Sequence, residues 1–517
     1  MVAQQEWKST LALFCHRRVV TMLFLGFSAG IPILLIFSSL SLWLREAGAD
    51  RAAVTYFSWA ALGYSFKFVW APLVDQLPIP WLSRMLGRRR AWILVAQIAI
   101  ACAILLMGSI NPQASESSLT MMALAAVMLG FSSATQDIVI DAYRIESAGL
   151  EFQAMMSATY IAGYRIGMLV AGAGSLYLAD WFGTSSGAYS YQAWQWTYYV
   201  MAAAMMIGVM TTLVIAEPQT RKLSKYLESS WDYASFVLLF VVVVVGFIGA
   251  FYFSGDPLSG PRAWLSEITG NRYLSSFTIG GFRFVLGLMV ARILAQLLVR
   301  FGLVRFEILE RTYLVPLRDF FDRYGWSLAW LLLGLIGLYR IADIILGVIS
   351  NVFYQDLGFT KTEIANVVKT FGLLMTIAGG FMGGLLAVRF GVMRILFVGA
   401  VLAAVTNLLF MVLVGMGHDM VWLYIVISAD NLSAGIASAA FVAFLSSLTN
   451  VSFTAIQYAI FSSLMTLIPK VLGGYSGSMV DAMGYQNFFM LTAISGVPVL
   501  FLILMVAKRL QSGRASE

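Results

Sequence analysis

The sequence predicts an all-α polytopic membrane protein of about 14 transmembrane helices, arranged as two six-helix halves with an extra helix pair between them. Three observations predict it: a charge-poor composition, fourteen apolar stretches of crossing length, and a pattern that recurs 301 residues apart. Of the 517 residues, 60% are hydrophobic and 11% charged, with a mean hydropathy of +0.83. Soluble domains carry roughly a quarter of their residues as charges. A deficit of that size means lipid rather than water covers much of the surface.

Crossing a hydrocarbon core of ~30 Å takes about 20 apolar residues per helix. Such stretches occur near 19–43, 54–75, 91–110, 119–143, 155–179, 194–216, 233–254, 277–299, 326–352, 363–388, 395–415, 420–447, 454–479 and 486–507. The first follows the basic run His16-Arg17-Arg18 without a small-residue cleavage site, so it is read as an uncleaved first helix.

Charge placement orients the chain. Of the 33 Lys and Arg residues, 21 fall in alternate connecting segments, among them Arg17, Arg18, Arg84, Arg88 to Arg90, Arg318 and Lys508. The segments on the other side hold 5, and 7 lie inside predicted helices. The positive-inside bias then places both termini in the cytoplasm of a bacterial inner membrane. The +7 net charge is therefore topological, and no nucleic-acid partner is implied. Cys15 and Cys102 form no disulfide framework, and His16 and His418 no metal cluster, so neither cofactor nor metal is expected.

The repeat sets the domain plan. Gly172, Ser175, Asp180 and Gly183 recur as Gly473, Ser476, Asp481 and Gly484. The loop bearing Asp75 and Gly87-Arg88-Arg89-Arg90 has a degenerate counterpart in Gly383-Gly384, Arg389, Gly391 and Arg394. Two similar halves, each with a basic loop after its second helix, look like the major-facilitator fold. The expected boundaries are an N-terminal six-helix half over 1–220, a linker over 221–325 with two additional helices and a basic cytoplasmic segment, and a C-terminal half over 326–517. The extra pair is read as peripheral, its run Val241 to Val245 suiting a lipid-facing helix.

Ionisable side chains at membrane depth cost at least ~2.5 kcal/mol and need a reason. Asp137 and Asp141 share one face of the fourth helix. Asp141 and Arg144 lie near the inner surface, where a gating salt bridge with the basic loop (Asp75, Arg88, Arg89) suits them. Asp137 lies about 9 Å deeper than Tyr143 at a 1.5 Å rise. Two readings stand for it: the proton-coupling carboxylate, or a structural partner for Lys67 or Arg165. Lys67 sits ~12 Å in from the inner surface, and Arg165 lies close to the midplane. Either cation, facing a central cavity, attracts an acidic substrate, and arginine grips a carboxylate with two bonds. Arg340 and Asp343, three apart, can pair locally, and Asp430 and Asn431 lie near mid-depth. Snorkelling or a structural ion pair is the plainer reading at each position.

The chain resembles the AmpG family of muropeptide permeases. The resemblance rests on Leu25 to Pro32, Phe66 to Leu73, Ala134-Thr135-Gln136-Asp137-Ile138-Val139, Gly163-Tyr164-Arg165-Ile166-Gly167-Met168, Pro316 to Phe321, Tyr339 to Asp343, and Asp430-Asn431-Leu432. It covers about 20–505, apart from roughly 225–310. It implies proton-driven import of N-acetylglucosaminyl-anhydro-N-acetylmuramyl peptides from periplasm to cytoplasm for peptidoglycan recycling. A link to β-lactamase induction is implied where a bacterium carries that circuit. The matching positions put Lys67, Gln136, Arg165, Asp343 and Asn431 forward as substrate-binding residues and Asp137 as proton-coupling. Gln76 stands where the general loop motif has a basic residue, and Asp430 where the family is expected to have Glu.

Two other classes compete. A membrane-embedded transferase of cell-wall precursors needs a clustered catalytic group, which the sequence does not display. A facilitator for another polar or anionic solute (sugar phosphates, drugs or acetyl-CoA) shares the fold, and fold alone does not select cargo.

Overall fold

The computed structural model describes residues 13–48, 66–184, 188–218, 230–270, 272–360, 363–473 and 476–514. Among these, 13 helices are long and apolar enough to cross a membrane. The fourteenth expected stretch, 54–75, falls for the most part outside the described residues. The chain divides into two compact units: Met1–Arg221 with Tyr324–Glu517, and Lys222–Arg323.

The first half of the larger unit contains α1 (Arg17–Leu34), α2 (Ala71–Gln76), α3 (Arg88–Ser109), α4 (Glu116–Ser147), α5 (Leu150–Leu169) and α6 (Tyr191–Val214). With no water in the hydrocarbon to satisfy backbone groups, an apolar run that crosses has to close its own hydrogen bonds as helix. Pro32 removes one such donor near the end of α1, and a π-helical turn over Leu35–Ser39 follows it. Glycine sets the approach of α1 to α5. A Cβ at Gly26, Gly30 or Gly163 would stand within 2.2 Å of the carbonyl oxygens of Tyr160, Tyr164 and Leu23 respectively. Only hydrogen fits there, so the two backbones touch.

The second half contains α10 (Val315–Leu338), α11 (Ile341–Asp356), α12 (Gly372–Phe390), α13 (Val392–Met416), α14 (Met420–Leu448), α15 (Thr454–Gly473) and α16 (Ser476–Arg514). The chain leaves helical geometry at Tyr339 and Arg340, between α10 and α11, in the middle of one apolar span. Phe353, Phe410 and Phe489 pack an aromatic core between α11, α13 and α16. Gly379 and Gly383 bring α12 against Leu432 and Ile436 of α14.

The halves meet where α5 crosses α12 and where α15 lies against α2 and α4. Gly384 of α12 abuts Ala154 and Ala158 of α5. These contacts cluster at the end of the bundle that carries Arg88 to Arg90 and Arg144, the basic end. At the other end, Trp194 Nε1 donates to Glu46 at 2.8 Å within the first half. Tyr485 donates to Asp356 there within the second.

The smaller unit holds α7 (Ser230–Phe253), α8 (Ser259–Thr269) and α9 (Arg272–Arg300). Helices α7 and α9 pack together, with Gly287 against Phe247 and Gly246 against Leu294. The Arg283 guanidinium donates to Phe251 O at 2.6 and 3.2 Å and so caps the carbonyl end of α7.

Candidate functional site

The basic end is built from an ion network that starts on α3. Arg89 is 1% exposed; its Nη2 donates to Asp75 Oδ1 at 2.6 Å and its Nε to Glu146 Oε2 at 3.0 Å. Arg88 donates to the Asp75 backbone carbonyl. Glu217 accepts from the backbone N–H groups of Arg89 and Arg90 at 2.8 and 3.0 Å, placing a negative charge on the N-terminus of α3. Arg90 in turn donates to the carbonyls of Thr212 and Leu213 at the end of α6. Four segments are thereby tied at one point.

Arg144 has partners beyond the one its spacing suggests. Its Nη1 donates to Ser446 Oγ at 2.7 Å and to Ser157 Oγ at 3.1 Å, and its guanidinium lies 5.2 Å from the centre of the Tyr458 ring. Its Nη2 donates to Asp141 at 3.2 Å. Ser446 and Tyr458 belong to the second half, so a fully buried cation on α4 holds the two halves together. The expected salt bridge between Asp141 and the basic loop is not made. Asp141 pairs with Arg144 and, at 3.8 Å, with Lys67, while Arg89 takes Asp75 and Glu146. Asp141 lies one helical turn too deep on α4 to reach the loop; Glu146, at the end of the helix, reaches it.

Deeper in, Tyr160 donates a long 3.5 Å hydrogen bond to Asp137, and Lys67 and Asp141 stand within electrostatic reach of the same carboxylate. Tyr160 and Tyr164 follow one another up α5, with Arg165 next. From the second half, Arg340 pairs with Asp343 at 3.6 Å. Asp430 lies within electrostatic reach of both, and Arg165 within reach of Arg340. Tyr160, Tyr164, Arg165, Asp343 and Asp430 are half-buried. Arg340 sits at the helix break, as the residue that precedes α11.

Two expected substrate contacts are committed elsewhere in this conformation. Gln136 is 0% exposed and donates to Ser28 at 3.4 Å between α4 and α1, out of reach of any solute. Asn431 donates to Ile427 O at 3.0 Å within α14 and accepts from Thr376 Oγ1 at 2.9 Å, a bond that joins α14 to α12. Glu146, Glu217, Ser446 and Tyr458 were not among the sequence candidates. Glu146 alone carried a signal, an acid two residues beyond Arg144 at a basic surface. Among the described residues, no group of three His, Cys, Asp or Glu side chains is placed to hold a metal.

The chain is 30% identical over 492 residues to the Putative transporter AmpG 4 of Rickettsia conorii, covering 95% of this chain and 97% of that one. It is 29% identical over 509 residues to the Anhydromuropeptide permease of Escherichia coli K12, covering 98% and 83%. The family described as Acetyl-coenzyme A transporter 1 matches residues 18–217. Among solved structures, the proton:xylose symporter XylE of the major facilitator superfamily superposes with a TM-score of 0.57 at 12% identity, over 97% of this chain and 96% of that one. The human organic anion transporter MFSD10 gives 0.54 at 13% identity, over 94% and 99%. The fold is that of the major facilitators.

Proposed function

The chain belongs to the AmpG family of transporters, and we propose that it carries N-acetylglucosaminyl-anhydro-N-acetylmuramyl peptides from periplasm to cytoplasm for peptidoglycan recycling, driven by protons. The observation that carries the anionic cargo is the approach of Arg165 and Arg340. Two guanidinium groups, one from each half, lie within electrostatic reach of each other. Like charges in a low-dielectric interior repel, and an acidic ligand between them relieves that cost. A muropeptide presents carboxylates on its stem peptide, and Tyr160 and Tyr164 offer ring faces for its sugars. Asp137, held by one long hydrogen bond beside Lys67, serves as the proton carrier. The positive-inside bias makes the basic end cytoplasmic. The conformation is then the one closed to the cytoplasm, ready to load from the periplasm.

The match of the first half to the acetyl-coenzyme A transporter family favours a second reading, in which the anion is a nucleotide thioester. One experiment separates the two. Radiolabelled anhydromuropeptide is offered to proteoliposomes with and without an imposed proton gradient, and unlabelled acetyl-coenzyme A is then added in excess. Gradient-dependent accumulation that acetyl-coenzyme A does not compete supports the proposal. No uptake by folded, oriented protein rejects muropeptide as cargo, and loss of labelled uptake to the competitor moves the reading to the thioester.

A further inference from the structure

Helix α8 is amphipathic and leaves its apolar face uncovered. Its eleven residues place Pro261, Trp264, Leu265 and Ile268 on one face and Ser259, Arg262, Ser266 and Glu267 on the other. Neither face is buried: Ser259, Arg262 and Glu267 are exposed as Trp264 and Ile268 are, and Leu265 and Ser266 are half-buried. Ser259, Arg262, Ala263, Ser266 and Glu267 line a pocket of about 500 Å³ with Ser275 of α9. On the apolar face Trp264 is 63% and Ile268 62% exposed. An aqueous environment favours the opposite arrangement, because exposed apolar surface costs roughly 25 cal/mol per Å².

The neighbouring elements fix the depth of the helix. It joins two membrane-crossing segments, Trp231–Phe253 and Thr278–Arg300, and so lies at the surface where they turn. Arg283 closes the end of α7 on Phe251 O, which marks where the first span stops. Tyr252 and Phe253, 68% and 75% exposed, stand at that level, as aromatic side chains do at a membrane interface. Gly270, at φ +61°, ends α8 in the left-handed conformation and lets the chain turn into α9.

We propose that α8 lies in the plane of the membrane, with Trp264 and Ile268 inserted at the boundary between lipid headgroups and acyl chains, as a surface-lying amphipathic helix that anchors the extra helix pair. The test uses the full chain with Cys15→Ser and Cys102→Ser, carrying single Trp264→Cys, Glu267→Cys or Val245→Cys substitutions labelled with bimane. Each folded, monodisperse preparation is reconstituted in phosphatidylcholine vesicles containing 5-doxyl or 12-doxyl lipid, or is exposed to iodide. The label at position 264 is expected to be quenched several-fold more by 5-doxyl lipid than by iodide. Position 267 should show the reverse, and position 245, inside α7, should respond to 12-doxyl lipid. Equal iodide quenching at 264 and 267 without a doxyl effect overturns the proposal. So does protection of 264 from both quenchers, which would assign the face to a second copy or another protein segment.

Discussion

Arg144 Nη1 donates to Ser446 Oγ at 2.7 Å, a bond that joins α4 of one half to α14 of the other across 302 positions of sequence. A fully buried guanidinium whose partners are divided between two halves is a latch. Separating the halves leaves that cation short of a partner, and a buried unsatisfied charged group is expensive.

Removing the shared hydroxyl should therefore open the basic end. Ser446→Ala deletes one charge-assisted hydrogen bond, worth about 1.5–3 kcal/mol, while Ser157 and Asp141 still hold Arg144. The balance between closed and open forms should move by roughly ten- to a hundredfold. Ala154→Cys, at a position now 2% exposed, reports it through the rate of maleimide labelling in a chain freed of Cys15 and Cys102. An unchanged rate would show that the bond does not contribute to closure.

Arg89→Ala should be costly in stability rather than only in transport. It leaves the carboxylates of Asp75 and Glu146 buried at 1% and 0% side-chain exposure without their cation. Breaking a buried ion pair by removing one partner typically costs 3–5 kcal/mol. A fall of several degrees in the unfolding temperature of detergent-solubilised protein is expected. The double change Arg89→Met with Glu146→Gln should recover part of it, since no lone glutamate charge is then left buried.

The fold was legible in the sequence because its determinants are local or periodic. Crossing length follows from apolar runs, and the matched Gly, Ser, Asp and Gly positions announced the duplication. Spacing along a helix is legible in the same way, since the helical rise is constant: Asp137 and Asp141 fall on one stretch of α4 by counting alone. Partners across helices were not, because they depend on rotation about each axis and on how the halves dock. Arg144 with Asp141 follows from a spacing of three, but Arg144 with Ser446 has no signature in either segment. The contact of Gln136 with Ser28 was hidden for the same reason. That residue's place in a matching run says nothing of the face that carries it, and that face meets Ser28 of α1.

Asp137→Asn should separate coupling from binding. The amide keeps the shape of the carboxylate and can still accept from Tyr160, but it carries no exchangeable acid proton. Gradient-driven accumulation of anhydromuropeptide should be lost, while exchange of labelled for unlabelled substrate at equal concentrations persists within about twofold. Accumulation at the unmodified level would remove Asp137 from the coupling role. Loss of exchange as well would make it a binding or structural residue.

At the end opposite the latch, Glu363 offers a pH-dependent contact outside the membrane spans. It accepts from His418 Nε2 at 3.1 Å and from Thr360 N and Oγ1 at 2.8 and 2.9 Å, while its own N–H donates to Thr360. The reciprocal bonds with Thr360 form a capping box at the start of the following helix. The His418 hydrogen bond first, then those from Thr360, draw the Glu363 carboxyl down to about 2 from its ordinary 4.5. A depressed acid stabilises the fold above its unfolded value and loses that contribution as pH falls through the folded one. The dependence therefore lies between about 4.5 and about 2. His418→Ala should shift the Glu363 carboxylate titration, followed by isotope-edited infrared difference, upward toward the ordinary range. Thr360 still holds it partly down. A midpoint unmoved by the substitution would assign the whole shift to the capping box.

Closure at the basic end also depends on the absence of a side chain. A Cβ at Gly384 would stand 2.8 Å from Ala158 Cβ and 3.1 Å from Ala154 O, where α12 crosses α5. Neither the α5 backbone nor an alanine methyl can rotate away, so Gly384→Leu has to part the helices. Overpacking of this kind costs about 1–3 kcal/mol. That energy falls on the closed form, because the contact joins the two halves. The substitution should therefore raise maleimide labelling of Ala154→Cys roughly tenfold and lower gradient-driven uptake, with little change in helical content. Ala158→Gly removes the nearer of the two obstructing groups and should restore part of both. If Gly384→Leu instead unfolds the protein, the glycine serves assembly within the second half. If labelling and uptake stay unchanged in folded protein, the α5–α12 crossing is not where the transporter closes.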